Sequence, residues 1–450
     1  MKMDRELALR EAKRLCDEGG ASEIEVSVHQ ASEAFVRFGD TGPTQNADRD
    51  RVDVSVRVRL QEADGYREAS ASCTSLDPAK TSGALRRARK LASVSEPNPE
   101  LAPMGGAVEV EQTELSEATA AHGFESKGAW VRQALAACRV ADLQPAGLIS
   151  THGAVRTIVN SNGREVQGAT SRAGFALTAL SSGGEGWGGG IASDVEALDP
   201  EQVIERAVRK ASANRTPRAL EPGDYTVVLE PAAVSSLLLF GSYYGFGARE
   251  VMEQSSFLCG RQGEKLFPEE LLLVDDARNA IYPRLPFDGE GNPKQRVELL
   301  AKGALGNPVT DLNYARKLGV PCSGHSLSQP NTHGPMAGNL VLATGDKSRE
   351  ELMAGIERGL LITQFHYTNM IEPRDLTLTG MTRNGTFLIE NGEVTDSVKN
   401  LRFTQSLVKT LQNVSGIGAT PEVTGALFDG EIVTPWLRVE GFRFTSSSDF

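Results

Sequence analysis

No stretch of this chain holds the roughly 18 apolar residues that a membrane helix needs. Its first twenty residues, MKMDRELALREAKRLCDEGG, form a charged amphipathic pattern without the apolar core of a secretory signal. A cytoplasmic chain without membrane contact is expected. Cysteine is scarce: Cys16, Cys73, Cys138, Cys259 and Cys322 are five in 450 residues, far apart and never spaced Cys-x-x-Cys. That excludes a disulfide framework and fits reduced, mostly buried thiols. Positive charge is in deficit, with 47 Lys and Arg against 59 Asp and Glu and a formal net charge of −12. Such a surface repels phosphate backbones and anionic lipid, so nucleic acid is not an expected partner, whereas peptides and proteins are.

Catalytic signatures are missing as well. None of His29, His122, His152, His325, His333 and His366 is followed by Glu. The common helical zinc peptidase pattern, in which a His pair holds the metal and the adjacent Glu takes a proton from bound water, is therefore excluded. No phosphate-binding G-x-x-x-x-G-K-[ST] and no G-x-S-x-G nucleophile turn occurs. GGEGWGG, with Gly184, Gly186 and Gly189, spells G-x-G-x-x-G but opens no helix of a parallel βαβ unit. A tight turn or a close backbone approach between strands accounts for the same letters. PCSGHSLSQPNTHGP puts Cys322, His325 and His333 on one loop, either as three metal ligands or as side chains that satisfy the loop's own backbone. In FDGEGNPKQR, Asp288 and Glu290 form either a general-acid pair or an exposed acidic turn. HYTNMIEPRDLTLTGMTRNG gathers His366, Asn369, Arg374, Asp375, Arg383 and Asn384, as the wall of a cleft or as a set of hairpin turns.

What is present is regular patterning over a length that exceeds one core, so two domains are expected with a boundary near residue 220. EIEVSVHQ, EAFVRFGD, RVDVSVRVRL and GYREASASC alternate like half-buried strands of an antiparallel sheet. Leu76-Asp77-Pro78 then opens an Ala/Arg-rich helix, with Asp77 as N-cap and Pro78 as first helical residue. After an unpatterned stretch from Ser95 to about Thr119 the plan recurs. FESKGAWVRQALAACRVAD reads as a helix, strands follow, and Leu198-Asp199-Pro200 opens another helix. Either a helix-sheet-helix unit is duplicated or a common helix start has recurred by chance. Beyond residue 220, SSLLLFGSYYGFGAREVMEQ reads as an apolar helix running into glycines, SREELMAGIERG as a helix, and the rest as short strands between Gly, Asn and Asp turns. The expected class is α+β: residues 1–220 as an N-terminal α/β domain of antiparallel sheets flanked by helices, and 221–450 as a mainly antiparallel β domain.

YTVVLEPAAVSSLLLFG, FLCGRQGE, LVDDA, FDGEGNPKQRVELLAKGAL, ARKLG, SGHSLSQPNTHGP and GMTRNGTFLIENGEVTDSVKNLRFTQS resemble, in order, the TldD/PmbA family, once called modulators of DNA gyrase. The resemblance implies a metallopeptidase-like C-terminal domain. Active members carry H-E-x-x-x-H on the helix that corresponds to SSLLLFGSYYG, and a third zinc ligand from a cysteine near the C-terminus. In that register Leu239 and Tyr244 stand at the histidine positions and Phe240 at the glutamate, and no cysteine follows Cys322. The chain thus resembles the PmbA/TldE type, and the resemblance implies a non-catalytic subunit. A TldD-like partner would supply the zinc, this chain would bind none, and the substrate would be an unfolded or flexible peptide held as an extended strand. Tyr243, Tyr244 and Phe246, beside glycines at 241, 245 and 247, are expected to line the chamber, with His366 and Arg383. The alternatives are a self-sufficient hydrolase or metal protein using His325, His333 or His366, with Cys322 as a further ligand, or a homodimeric peptide-binding protein.

Overall fold

The computed structural model describes residues 3–20, 23–425 and 430–447. The first half consists of α1 (Arg5–Glu18), β1 (Glu23–Gly39), β2 (Gly42–Glu62), β3 (Gly65–Cys73), α2 (Pro78–Ala92), α3 (Glu117–Ala121), α4 (Phe124–Val140), β4 (Gln144–Asn160), β5 (Glu165–Leu180), β6 (Glu185–Ala192) and α5 (Pro200–Ala213). Its six strands form one sheet in the order β3-β2-β1-β4-β5-β6, antiparallel at every pairing. Two units of helix, three-strand meander and helix share this sheet and meet first strand to first strand, with Val26 opposite Val159. Both Asp-Pro starts cap as their chemistry requires. Asp77 accepts from the Ala79 and Lys80 amides, Asp199 accepts from Gln202, and a proline follows each where no donor is needed.

Ile24, Val26, Val28 and Val36 point to one side of β1 because strand side chains alternate. All four helix partners therefore cover the same sheet face: α1 and α2 bury Ala12, Leu15 and Leu85 at one end, and α4 and α5 bury Val131, Val203 and Ile204 at the other. The glycine run is a strand, not a loop. A Cβ on Gly186 would lie 2.2 Å from the Ala211 amide nitrogen and one on Gly188 2.1 Å from the Val203 oxygen, so these glycines let α5 settle onto β6.

The second half holds β7 (Gly223–Leu229), α6 (Pro231–Tyr244), α7 (Ala248–Met252), β8 (Leu273–Asp275), β9 (Val297–Ala301), β10 (Ala304–Leu305), α8 (Leu312–Leu318), β11 (Leu340–Leu342), α9 (Arg349–Met353), β12 (Arg358–Glu372) and β13 (Thr377–Glu390). It continues with β14 (Glu393–Val398), β15 (Leu401–Ser406), α10 (Leu407–Gln412), β16 (Val414–Ile417), β17 (Glu422–Gly425), β18 (Glu431–Thr434) and β19 (Leu437–Ser447). One sheet runs β10-β9-β8-β11-β18-β17. The other runs β12-β7-β19-β15-β13-β14, and a further β12–β13 pairing closes its strands into a ring. Among the described strands only β7–β12 and β11–β18 are parallel pairs. LTLTGMTR and GTFLIENGEV, among the short runs expected as strands between turns, join through Asn384-Gly385 into the continuous β13, which takes positive φ of 63° and 119° at that pair, and the second run goes on past Glu390 into β14. SREELMAGIERG is helical only as far as Met353, because the chain turns at Gly355 with φ 73° and enters β12.

The opposite face of the N-terminal sheet meets the second half through buried charge. Arg57 Nη2 donates to Glu25 at 2.8 Å and to Glu290 at 2.7 Å, and all three side chains are buried. Asp288 accepts from the amides of Glu290, Asn292 and Ser326 at 2.8–3.0 Å. FDGEGN is therefore neither an exposed acidic turn nor an accessible acid pair; Arg57 and Arg164, 233 and 126 positions from Glu290, enclose it as the joint between the halves. Burial, then repulsion from Glu290, pushes the Asp288 pKa up, whereas for Glu290 burial is outweighed by Arg57 and the pKa falls. The unpatterned stretch is a strap across this joint: Ala102 oxygen accepts from Arg59 at 2.6 Å and Gly106 oxygen from Arg164 at 2.7 Å.

Two outcomes follow from this joint. Arg57→Met strands two buried carboxylates, and urea unfolding should show a loss of about 3–5 kcal/mol, partly recovered in the double variant with Glu290→Gln. Asp311, the N-cap of α8, is buried near Glu290 and Asp288, and its pKa is pushed up to about 6. A raised carboxyl pKa means that the folded state holds the proton more tightly than the unfolded chain. The resulting cost is absent below about pH 4 and complete above about pH 6. Asp311→Asn keeps the cap, so it should unfold about 1–3 kcal/mol later than the parent at pH 8, with the gap closing as pH falls through 6 toward 4.

Candidate functional site

Leu239 and Phe240 lie in the middle of α6, which is apolar on all sides and touches β12 in one sheet and β17 and β18 in the other. A helix of this composition has to be enclosed, and Leu239 is 5% and Phe240 9% exposed, whereas Tyr244 at the helix end is 39% exposed. The Phe240 and Tyr244 rings stack at 6.4 Å, Tyr243 follows at 6.3 Å, and the His333 ring meets Tyr243 edge-on at 5.9 Å. These rings make a half-exposed aromatic surface where α6 ends. Phe246 is not part of it: its ring is fully buried, edge-on against Phe257, because the chain folds back under α6 at Gly245. Of the three rings expected to line a chamber, Phe246 is thus enclosed in the core of this chain and Tyr244 reaches its surface.

The loop from Pro321 to Met336 spends its side chains on its own support. His325 is buried, with Nδ1 2.9 Å from Ser323 Oγ and Nε2 3.0 Å from Asp275 Oδ1. Serine, histidine and aspartate in a row have the letters of a catalytic triad, but the hydroxyl is committed elsewhere. Ser323 Oγ accepts from the Thr310 amide at 2.7 Å and lies 3.1 Å from the Thr310 oxygen, and no substrate could approach the enclosed ring. Burial pushes the Cys322 thiol up to about 12, so the free side chain is a neutral thiol. His333 is held from below by Arg249, which donates to the Thr332 and His333 carbonyls. Burial, then Arg249, keeps its pKa below the usual imidazole value. The structure does not join Cys322, His325 and His333 into a ligand set, and among the described residues no group of three or more His, Cys, Asp or Glu is placed to hold a metal ion.

A second group lies on β12 and β13. Arg383 Nη1 donates to His366 Nε2 at 2.8 Å, while its Nε lies 3.3 Å from Glu185 at the start of β6. Burial, then the Arg383 charge, lowers the His366 pKa, which agrees with a neutral ring accepting that bond. Asn384, at positive φ, donates to Gln364, and its Oδ1 is buried without a partner. Beside it Glu185, Asn214, Asn384 and Asn400 line a cavity of about 340 Å³. Arg374 and Asp375 lie in the turn between β12 and β13, where Asp375 accepts from the Thr377 amide and hydroxyl, and Asn369 sits at an irregularity within β12 and donates to the Tyr367 oxygen. Sequence reasoning missed Glu185, Asn214 and Asn400, which arrive from three separate elements; only the Asn-Gly pair at 384–385 carried a local signal. In sum the described residues offer aromatic faces and hydrogen-bonding groups suited to holding a chain, with no nucleophile-and-base pair open to solvent.

The described PmbA/TldA metallopeptidase C-terminal domain matches residues 222–446, and the central domain of the same family matches 115–215. A metalloprotease of Methanothermobacter thermautotrophicus is 25% identical over 277 residues, covering 58% of this chain and 59% of the relative. A metalloprotease TldD homolog of Haemophilus influenzae is 25% identical over 291 residues, covering 63% and 56%. The chain thus spans little more than half the length of these curated relatives. The solved structure of TldE from Thermococcus kodakarensis superposes with a TM-score of 0.81 at 20% identity, covering 97% of this chain and 98% of that one, which establishes a common fold.

Phe240→Glu tests how firmly α6 is committed to packing. A carboxylate at this enclosed position has no partner, so thermal or urea unfolding should reveal a loss of about 3 kcal/mol or more, and metal analysis no gain of zinc.

Proposed function

This chain belongs to the PmbA/TldD metallopeptidase family, and we propose that within it the chain is a TldE-type, non-catalytic subunit of a cytoplasmic peptidase whose zinc is carried by a TldD-like partner. The observation that carries the reading is the state of α6. Where the family resemblance places two histidines and a glutamate, this chain has Leu239, Tyr244 and Phe240, of which the leucine and phenylalanine are buried. Leucine has no lone pair for a metal, and a phenylalanine ring cannot take a proton from water. Successive helical residues turn by about 100°, so positions five apart face about 140° away from each other, and a metal helix with that spacing has to be distorted. Free of ligands, α6 packs as an ordinary apolar helix.

In this proposal the chain is divided near residue 220, and its second half closes the chamber over the partner's metal. Tyr367 and Ile371 on β12, with Tyr244 on α6, leave large apolar groups exposed, as a surface that meets another chain would. The substrate is an unfolded or flexible peptide taken up as an extended strand, with Tyr243, Tyr244, His366 and Arg383 along its path. Backbone pairing makes such uptake tolerant of sequence, and the aromatic and guanidinium side chains add mild preference.

Purified alone, the chain should contain no stoichiometric zinc and leave an unfolded peptide intact. Co-expressed with a TldD-like chain, it should elute as a heterodimer that cleaves the peptide faster than the partner does by itself. Stoichiometric zinc in the isolated chain together with chelator-sensitive cleavage, or a stable homodimer that refuses the partner, would overturn the assignment.

A further inference from the structure

Although the protein is acidic as a whole, positive charge concentrates in one cavity on the seam between α5 and the second half. Arg206, Arg209 and Lys210 enter it from α5, and Lys347 and Arg349 from the segment that begins α9, around a volume of about 220 Å³. Its two carboxylates are already engaged. Glu422 accepts both Nη atoms of Arg206 at 2.7 and 3.0 Å, and Glu230 accepts the buried Lys210 ammonium at 2.6 Å. Arg209, Lys347 and Arg349 remain, and among the described residues none of the three has an ion-pair partner. Arg349 is held in place by its contact with the Trp436 ring, 5.0 Å from the centroid, yet its Nε is buried without a hydrogen-bond partner. A guanidinium with an orphaned donor, flanked by two cations that make no direct ion pair among the described residues, is a cost that a bound anion would relieve.

We propose that this cavity is a binding site for a phosphate group, free or as a phosphomonoester. Five cations against two carboxylates in the lining leave an excess of three positive charges, which Glu350 and Glu351 nearby offset only in part; that excess favours a dianion over a single carboxylate, and the guanidinium fork of Arg349 matches two oxygens of a tetrahedral oxyanion. Leu352 and Trp436 give the same cavity an apolar wall against which the organic part of an ester can lie. Because its ligands come from both halves of the chain, an occupied site ties α5 to the second half beside the Arg206–Glu422 and Lys210–Glu230 ion pairs. The site is independent of the peptidase reading and stands or falls without it.

The test is titration of the full chain with inorganic phosphate, O-phosphoserine and acetate at matched ionic strength in sodium chloride. Melting temperature and calorimetric heat are the readouts, on the parent and on Lys347→Gln and Arg209→Gln, both surface changes that leave the fold intact. A saturable rise in melting temperature with phosphate, at least about tenfold weaker in each variant and far weaker with acetate, is the expected result. Response to phosphoserine as well assigns the site to an ester head group, and response to phosphate alone assigns it to the free ion. Equal affinity in the two variants, equal response to acetate, or no saturable binding at all would overturn the proposal.

Discussion

A helix apolar on every face cannot lie on a surface, and the second half of this molecule is arranged around that constraint. α6 carries Ala233, Val234, Leu237, Leu238, Leu239 and Phe240 into a single core with β7, β12 and the aromatic residues Phe365, Phe403 and Phe442. Each Val, Leu or Phe among them, fully withdrawn from water, contributes about 1.5–3 kcal/mol, so the packing of this helix is a large part of what holds the core together. Two sheets are needed to cover it, which is why the short strands β8, β11, β17 and β18 face a ring of longer ones. The polar chemistry is pushed to the ends of the helix, where Tyr243 and Tyr244 emerge.

The joint between the halves has the opposite character. Arg57 with Glu25 and Glu290, Arg206 with Glu422, Lys210 with Glu230, and Arg172 and Arg284 converging on Glu431 all cross it or lie against it. Buried pairs of this kind return little net stability, because desolvation of each charge offsets the attraction. What they supply is register: an apolar face tolerates sliding, whereas a guanidinium displaced by an ångström or two leaves carboxylates unpaired in a dry environment. The strap at residues 101–116, held by Arg59 and Arg164, adds backbone bonds to the same joint.

How much of this was legible in the sequence depended on whether the cause was local. The alternation in β1 and β2, the Asp-Pro caps and the recurrence of the helix-sheet-helix plan were readable because each rests on neighbours within a few residues. FDGEGN looked like an exposed acidic turn because its burial comes from Arg57, Arg164 and Ser326, none of them near it in the chain. GGEGWGG looked like a loop because its reason, the backbone of α5 lying on β6, appears only once the helix has docked. Asn-Gly within β13 is a turn signal, and only pairing with β12 on both sides of it, at Arg383 and at Thr386, carries the strand through. The candidate site divides in the same way: the enclosed apolar helix α6 was readable from its own composition, but Glu185, Asn214 and Asn400 meet Asn384 only through tertiary contact.

The histidine that most resembles a catalytic one is best understood through what it holds. Asp275, buried on β8, is fixed by both the amide and the side chain of Asn339, and against burial the His325 ring and Lys294 keep its pKa low. His325 relays that anchor to Ser323, and Ser323 to residue 310, so the start of the loop is tied to two strands of one sheet. Its far end is tied by Arg249 to the carbonyls of Thr332 and His333. Between these anchors the loop sets the His333 ring edge-on against Tyr243. Structurally the network ties the loop to the β8 side of the sheet at one end and to α7 at the other, and so positions the histidine that meets the aromatic surface at the end of α6.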